Sequence, residues 1–414
     1  MSYTDVPVVE EDILHGAYRG EGGRLFWLAL GTGMLTLLTL GFYRFWAKTR
    51  VRRYLWSATA PGGNPFEYSG TGLEKFLGFL VAVVILAVYL GLLQLFLFFL
   101  GLNIFSTADP NDPLAQLQQI MLVYINLIAV LPLIFFAQYR ARRYILSRTR
   151  WRGVRFGAEK GAWGYMFTAC GLWLASAMTL GLLTPLMTFY LEKYIWDRTW
   201  YGDAKFTQNG SFGQLYKAMI HIFIPIGLLI GAMILPLIDE SLAILTMVLM
   251  VVAYIWLLIG SVYYQIHSWR ILWANKVLGD GIRFRSMPRT GTVIATYVIG
   301  MLAVSLLSVV ALIPLGLLIG GMGFLADFGG SPETMFQSAQ GLLFAGLFAL
   351  AYIFVIVFSG ALAMVFIRQP ILRHYVEEST VVNASQLDTI RQRVGDEVVD
   401  AEGFADALDV GAAF

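Results

Sequence analysis

The 414-residue chain is poor in charge and nearly free of cysteine. Asp, Glu, Lys and Arg supply 14% of it, against about 25% in an ordinary soluble domain. Cys170 is the only cysteine, which excludes an intrachain disulfide. Its apolar neighbours, Phe167 to Leu174, make it a packed small hydrophobe rather than a reactive thiol. The four histidines (His15, His221, His267 and His374) lack ligand spacing to one another or to Cys170, so no metal site is expected. No HExxH, Walker A or GxSxG pattern occurs, and no nucleophile stands beside a recognisable base. No catalytic, cofactor-binding or metal residue is therefore assigned. The acidic start, MSYTDVPVVEEDILHG, has no basic n-region, so no cleavable signal peptide is expected.

Apolar side chains are what the sequence has in quantity. They make up 58% of it, and the mean hydropathy is +0.68. A water-soluble fold of this length could not hide that much apolar surface. Eight apolar segments stand out, at 25–46, 76–103, 119–139, 163–190, 216–238, 241–265, 291–325 and 340–367, and most reach the about 20 residues that a span needs. This predicts an all-α polytopic membrane protein of about six full transmembrane helices, with two further segments that span or re-enter. A leading segment (1–24) and an acidic tail (368–414) flank the membrane region at 25–367.

The basic residues are distributed unevenly. All 29 Lys and Arg fall in 1–24, 44–75, 140–162, 190–217, 266–290 and the tail. The connections 104–118, 239–240 and 326–339 have none, and carry Asp109, Asp112, Asp239, Glu240, Asp327 and Glu333 instead. The positive-inside rule places the basic connections, and the C-terminus, in the cytoplasm. Segments 25–46 and 163–190 then have basic connections on both sides. They read as hairpins that enter and leave on one face, with arms of about 11 residues for the first, too short to cross about 30 Å. Each carries Thr-Leu-Gly (Thr39–Gly41, Thr179–Gly181) as a candidate break, and the first also has Gly31-Thr-Gly33, which equally suits a close helix contact. A full span for 25–46, with the N-terminus outside, is the alternative.

The basic connections repeat. A basic–Tyr pair, then Thr five residues after the Tyr, then Phe seven further on, occurs as Arg53-Tyr54…Thr59…Phe66, Arg143-Tyr144…Thr149…Phe156 and Lys193-Tyr194…Thr199…Phe206. A partial copy lies at Tyr375…Thr380 and a longer, degraded one at 270–284. Turn signals between Thr and Phe (Pro61-Gly62-Gly63-Asn64, Arg152-Gly153, Gly202-Asp203) imply a helix end, a short β-hairpin and the start of the next apolar segment. Five hairpin units result, whose small ribbons could pair into a cap under the bundle.

Arg53, Tyr54, Arg143, Tyr144, Lys193 and Tyr194 are candidate anionic-lipid headgroup contacts, against the plainer reading of an interfacial belt. His221, Gln94 and Asn126 are the candidate intramembrane polar residues, with helix–helix hydrogen bonding as the plainer reading. The bilayer, with anionic lipid in particular, is the expected partner, and nucleic acid is not. The acidic tail is expected to be mobile, although Phe404, Leu408 and Phe414 could dock on the basic face.

The stretches Thr39-Leu-Gly-Phe-Tyr-Arg-Phe-Trp46, Phe66-Glu-Tyr-Ser-Gly-Thr-Gly72 and Phe404-Ala-Asp-Ala-Leu-Asp409 resemble the YjgN-like family of bacterial inner-membrane proteins. The likeness runs from about His15 onward and is loosest in the third and fourth units, where Gly210-Ser-Phe212 stands for Gly70-Thr-Gly72. It implies a bacterial cytoplasmic-membrane location and no activity, because the family's function is uncharacterised. Three functions are expected on these grounds: a transporter or channel-like protein for a small solute or lipid, suggested by the repeated broken hairpins; a non-catalytic scaffold binding lipid or a partner through its basic face; or a lipid-modifying enzyme.

Overall fold

A computed structural model describes residues 12–102, 112–325 and 339–393. Six helical segments are long and apolar enough to cross a membrane. They contain α3 (Gly72–Phe99), α4 (Pro113–Ser147), α7 (Tyr216–Ile238), α8 (Ala243–Ala274), α9 (Thr290–Leu325) and α10 (Ala339–Ala363). The last continues through a π turn into α11 (Gln369–Glu377). Asp109, Asp327, Glu333 and the tail aromatics Phe404 and Phe414 lie outside the described residues, as does Leu408. Of the acidic residues at the ends remote from the basic connections, Asp112 and Asp239 cap helical turns, accepting from Leu114 N at 2.9 Å and Ser241 N at 2.8 Å. The backbone and side-chain hydrogen bonds from Ser241 hold the Asp239 carboxyl below its ordinary range.

The expectation of an all-α protein is corrected by a single nine-stranded antiparallel sheet, in which the short hairpins pair with one another as a cap would require. The strands are β1 (Ile13–His15), β2 (Phe66–Tyr68), β3 (Thr149–Trp151), β4 (Val154–Ala158), β5 (Thr199–Tyr201), β6 (Ala204–Gln208), β7 (Lys276–Leu278), β8 (Ile282–Ser286) and β9 (Ser379–Val382). Their order is β1-β9-β8-β7-β6-β5-β4-β3-β2. The two ends of this order are joined. Tyr18, just after β1, bridges Thr59; Ala60 N donates to Ala17 O, Arg19 N to Ala58 O, and Phe66 N to Thr59 O. The sheet curls until its edges meet, so the short strands leave no open edge.

Period-two alternation sorts the ring's side chains. One face carries Leu14, Phe66, Trp151, Val154, Phe156, Tyr201, Ala204, Phe206, Leu278, Ile282, Phe284 and Val381, which form one hydrophobic cluster. Their registers agree: Phe66 opposes Trp151, Phe156 opposes Tyr201, Phe206 opposes Leu278, and Phe284 opposes Val381. The repeat's Phe residues thus form an aromatic spine, with Phe156 and Tyr201 centroids 4.7 Å apart. The repeat's Thr residues return their hydroxyls to the preceding helix: Thr59 to Leu55 O, Thr149 to Ile145 O and Thr199 to Ile195 O, at 2.8–3.0 Å.

One sheet built from every basic connection puts all of them at the same end of the molecule. Segments 25–46 and 163–190 must therefore start and finish together. They are the helix pairs α1 (Gly22–Leu38) with α2 (Arg44–Ala58), and α5 (Ala162–Met178) with α6 (Thr184–Trp196). The bridge from Tyr18 to Thr59 joins the ends of the first pair, and Glu159 N to Arg198 O at 2.9 Å joins those of the second. The alternative of a full span for 25–46 fails on this geometry. The first arm has 17 residues, not about 11, because α1 starts ahead of the apolar run. At about 25 Å it still falls short of a bilayer core. Both breaks fall at Thr-Leu-Gly. Gly41 N reaches Thr36 O and Gly181 N reaches Ser176 O, each at 2.7 Å, with Leu40 and Leu180 left-handed (φ 52° and 50°). This is the helix-ending bond pattern with leucine where glycine is usual. Gly31-Thr-Gly33 is not a break. It lies inside α1, and a Cβ on Gly33 would stand 2.6 Å from Val357 Cγ1, so it marks a close helix contact.

The start of the tail is docked, not mobile. Residues Ala384–Thr389 form a 3-10 turn, and Ala384, Leu387 and Ile390 join the ring's hydrophobic cluster. Arg152 pairs with Asp388, Asp203 N donates to Arg391 O at 2.8 Å, and Arg391 N donates to Asp203 Oδ1 at 3.0 Å. Gly202 (φ 56°) permits this approach, since a Cβ there would lie 2.3 Å from Arg391 O. Gly202→Val should therefore release residues 384–393. The clash of the new Cβ with Arg391 O is present only in the docked state, and about 1.4 kcal/mol of it gives roughly tenfold more open tail. Trypsin cleavage after Arg391 and Arg393 should quicken accordingly, and an unchanged cleavage rate would refute the docking.

Candidate functional site

The basic–Tyr pairs stitch each unit to the ring. The cation of each pair donates to a carbonyl at the exit of its β segment: Arg53 Nη2 to Gly70 O (3.3 Å), Arg143 Nε to Ala158 O (3.0 Å) and Lys193 Nζ to Gln208 O (2.8 Å). The tyrosine hydroxyl ties down the start of the unit's first helix. Tyr54 OH donates to Glu21 O (2.8 Å), Tyr144 OH to Glu74 Oε2 (2.7 Å) and Tyr194 OH to Gly161 O (2.9 Å). Tyr144 is completely buried. Of these six candidates, Lys193 and Tyr194 line a groove.

That groove lies between α5 and α6 and has a volume of about 440 Å³. Thr168 and Leu172 from α5, with Leu186 and Tyr190 from α6, make its apolar length. Lys193, Tyr194, Asp197 and Arg198 make its polar end. Asp197 is fully engaged: Lys193 Nζ is 2.9 Å from its Oδ2, and Gln208 N donates to its Oδ1 at 2.7 Å. Arg198 stacks on Tyr194, with Cζ 3.6 Å from the ring centroid, and donates from Nη1 to Tyr194 O at 3.2 Å. It forms no ion pair among the described residues. The groove thus combines an apolar channel with a mouth of net charge +1.

The internal repeat shows why Arg198 lacks an acid. Arg148 occupies the matching place, four residues after Tyr144, and its Nη2 pairs with Glu74 Oε1 at 3.0 Å. Glu74 is the third residue of α3. The third residue of α5 is Gly164, and a Cβ there would meet Tyr194 Oη at 2.4 Å. The third unit keeps the cation without a contact ion pair among the described residues; the neighbouring Glu159 acts on it only through space. Inspection of the sequence passed over Arg198, although the Tyr-to-Arg spacing and the Glu-to-Gly change were both readable.

The intramembrane candidates do not converge on this site. Gln94 Nε2 donates to Asn126 Oδ1, while Asn126 Nδ2 donates to Leu122 O at 2.8 Å. His221 packs edge-on against Tyr263, with centroids 4.4 Å apart. Gly260 allows the α7–α8 approach there, its missing Cβ falling 2.0 Å from His221 O. These polar groups join helices to one another.

Glu159, one turn ahead of α5, anchors the neighbouring strands. Its Oε1 accepts from Lys205 Nζ at 2.8 Å and Trp200 Nε1 at 3.0 Å. The Lys205 hydrogen bond holds its carboxyl below the ordinary 4.5 against the opposing effect of burial, with Trp200 adding to the lowering. The stability this contributes is complete above the unfolded carboxyl's range and is lost as pH falls through the folded value. Solvent screening keeps it below about 1 kcal/mol. The thermal midpoint of wild type minus that of Glu159→Gln, measured in detergent from pH 7 to pH 3, should be positive and shrink below pH 4.5. A difference independent of pH would remove Glu159 from this role.

Residues 14–407 match the family described as "Bacterial protein of unknown function (DUF898)". The chain is similar to the inner membrane protein YjgN of Salmonella typhimurium strain LT2, 28% identical over 174 residues, which is 41% of this chain and 38% of that protein. It is also similar to YjgN of Escherichia coli O157:H7, 28% identical over 153 residues, 36% of this chain and 33% of that protein. The matched stretches therefore span well under half of these relatives' length. No solved structure matches the chain. With nearly its whole length matched by one family, the chain belongs to the bacterial proteins of unknown function grouped as DUF898.

Proposed function

We propose that this is an inner-membrane protein that holds an anionic amphiphile, a membrane lipid with a negatively charged headgroup, in the α5–α6 groove. The single observation that carries this reading is Arg198: a cation at the mouth of an apolar groove, without the carboxylate that its repeat counterpart Arg148 has. The headgroup would accept from the Arg198 guanidinium, and an acyl chain would follow Leu172 and Leu186. The ring serves as the rigid floor that fixes α6. The positive-inside rule supports placing the ring in the cytoplasm, and the names of the relatives support the inner membrane. The end-to-end hydrogen bonding of Gln94 and Asn126 favours a binding or scaffold role over a polar path through the bilayer. Transport remains the second reading, favoured by two duplicate hairpins displaced by 140 positions, which provide paired broken elements.

Native mass spectrometry of protein equilibrated with phosphatidylglycerol and phosphatidylethanolamine tests the main reading. Wild type should retain the anionic lipid preferentially. A charge-assisted hydrogen bond contributes about 1.5–3 kcal/mol, so Arg198→Gln should lose roughly tenfold or more of that preference, while Arg53→Gln keeps it. Equal preference in wild type and Arg198→Gln would refute the site. Flux of labelled lipid across liposomes that Arg198→Gln abolishes would instead select transport.

A further inference from the structure

A second charged cluster, away from the groove, sits where the ring meets the helices. Lys276 is the first residue of β7 and is completely buried, as is Gln208 directly opposite it on β6. The Lys276 ammonium lies 3.0 Å from Glu192 Oε1 and is walled by aromatic faces, 4.1 Å from Trp196 and 4.7 Å from Trp273. Trp196 Nε1 donates to the same Glu192 oxygen at 2.8 Å. A second cation arrives from α4: Arg142 Cζ stands 4.8 Å from the Trp196 ring. Burial acts to raise the Glu192 carboxyl, but Lys276 and then Arg142 outweigh it and keep it ionised, below its ordinary range.

The cluster is unbalanced. Two cations share one carboxylate, and Glu192 forms its ion pair with Lys276. Arg142 Nε and Trp273 Nε1 are buried donors without hydrogen-bond partners among the described residues. A partly buried charge in excess is unfavourable unless something neutralises it. Cation–π contact with Trp196 recovers part of this but supplies no hydrogen-bond acceptor. What the corner lacks is an acceptor bearing a single negative charge.

We propose that Arg142, Lys276 and the indoles of Trp196 and Trp273 bound a site for a small monovalent inorganic anion, with chloride as the probe. Its charge is set by the cluster's excess of one, and its hydrogen-bond partners are the Arg142 Nε and Trp273 Nε1 donors. Glu192 is the internal competitor. It already supplies one negative charge to the same two cations, so removing it should strengthen anion binding instead of weakening it. The site is independent of the lipid groove.

The test is the thermal midpoint of the purified full-length protein in detergent, titrated with chloride against gluconate at constant ionic strength. Binding to the folded state alone raises the midpoint saturably with concentration. Wild type should show that saturable rise with chloride and not with gluconate. Glu192→Gln should saturate at roughly tenfold lower chloride, the equivalent of about 1.4 kcal/mol. Arg142→Gln should lose the response, and Arg142→Lys, which keeps the charge but removes the Nε donor, should need more chloride than wild type. Arg198→Gln should leave the response unchanged. An identical effect of chloride and gluconate, or a response that survives in Arg142→Gln, would overturn the site. So would weaker chloride binding in a folded Glu192→Gln.

Discussion

Backbone hydrogen bonding between very short strands is the constraint on which the rest of the structure depends. A strand of three residues has no independent stability, and an edge left unpaired at a membrane surface is a liability. The nine strands meet both conditions together, by closing on one another through residues 17–19 and 58–60. Closure has a topological consequence. Every helical unit must leave the ring and return to it, so helix length decides only how deep each unit reaches. The long pairs are capable of crossing a bilayer. The short pairs α1–α2 and α5–α6 turn back at Leu40-Gly41 and Leu180-Gly181, where the backbone is left-handed. Charge distribution and strand pairing thus express one rule in two forms.

The repeated Tyr, Thr and Phe serve the same closure. Phe66, Phe156 and Phe206 fill the ring. Thr59, Thr149 and Thr199 satisfy helix-end carbonyls where each helix hands over to a strand. Tyr54, Tyr144 and Tyr194 reach back to the start of their own unit's first helix. Each unit is therefore closed on itself by its tyrosine and joined to its neighbours by its strands. Stability is shared between local and long-range contacts, as expected of a chain built from copies of one unit.

Much of this was legible. Hydropathy located the apolar helices, and lysine and arginine placement located the connections. Thr39-Leu-Gly41 was readable as a break because it recurs in both short segments, although the left-handed residue that ends each helix is the leucine, ahead of the glycine. Pairing of the ribbons into a cap was legible from the repeats; its closure into a nine-stranded ring was not. Strands such as Phe66–Tyr68 are too short for period two to register, and β1 pairs with β9 across more than 360 positions. The start of the tail, 384–393, misled through composition. The acidic residues of the whole tail suggested a solvated segment, whereas Leu387 and Ile390, three apart, form the apolar stripe that docks. Arg198 was overlooked because four basic residues in one connection look alike until a neighbour shows which of them has an acid.

Function is best sought where the copies differ. Closing the ring needs the same atoms in every unit, so residues that serve closure have reason to stay alike. Two departures introduce charge. In the third unit, Gly164 stands where the second has Glu74, and Arg198 is left facing a groove. In the fourth, Lys276 opens β7 where Thr149 and Thr199 open β3 and β5. A threonine there satisfies itself on the helix behind it. A lysine cannot, and its ammonium crosses to Glu192 on α6. Both departures converge on that helix, which presents Glu192 to Lys276 and the adjacent Lys193 to the groove. Neither is needed to close the ring: one leaves a half-exposed arginine without a contact ion pair among the described residues, and the other buries a lysine against a single carboxylate. α6 is thus the element on which both departures act, through the adjacent residues Glu192 and Lys193.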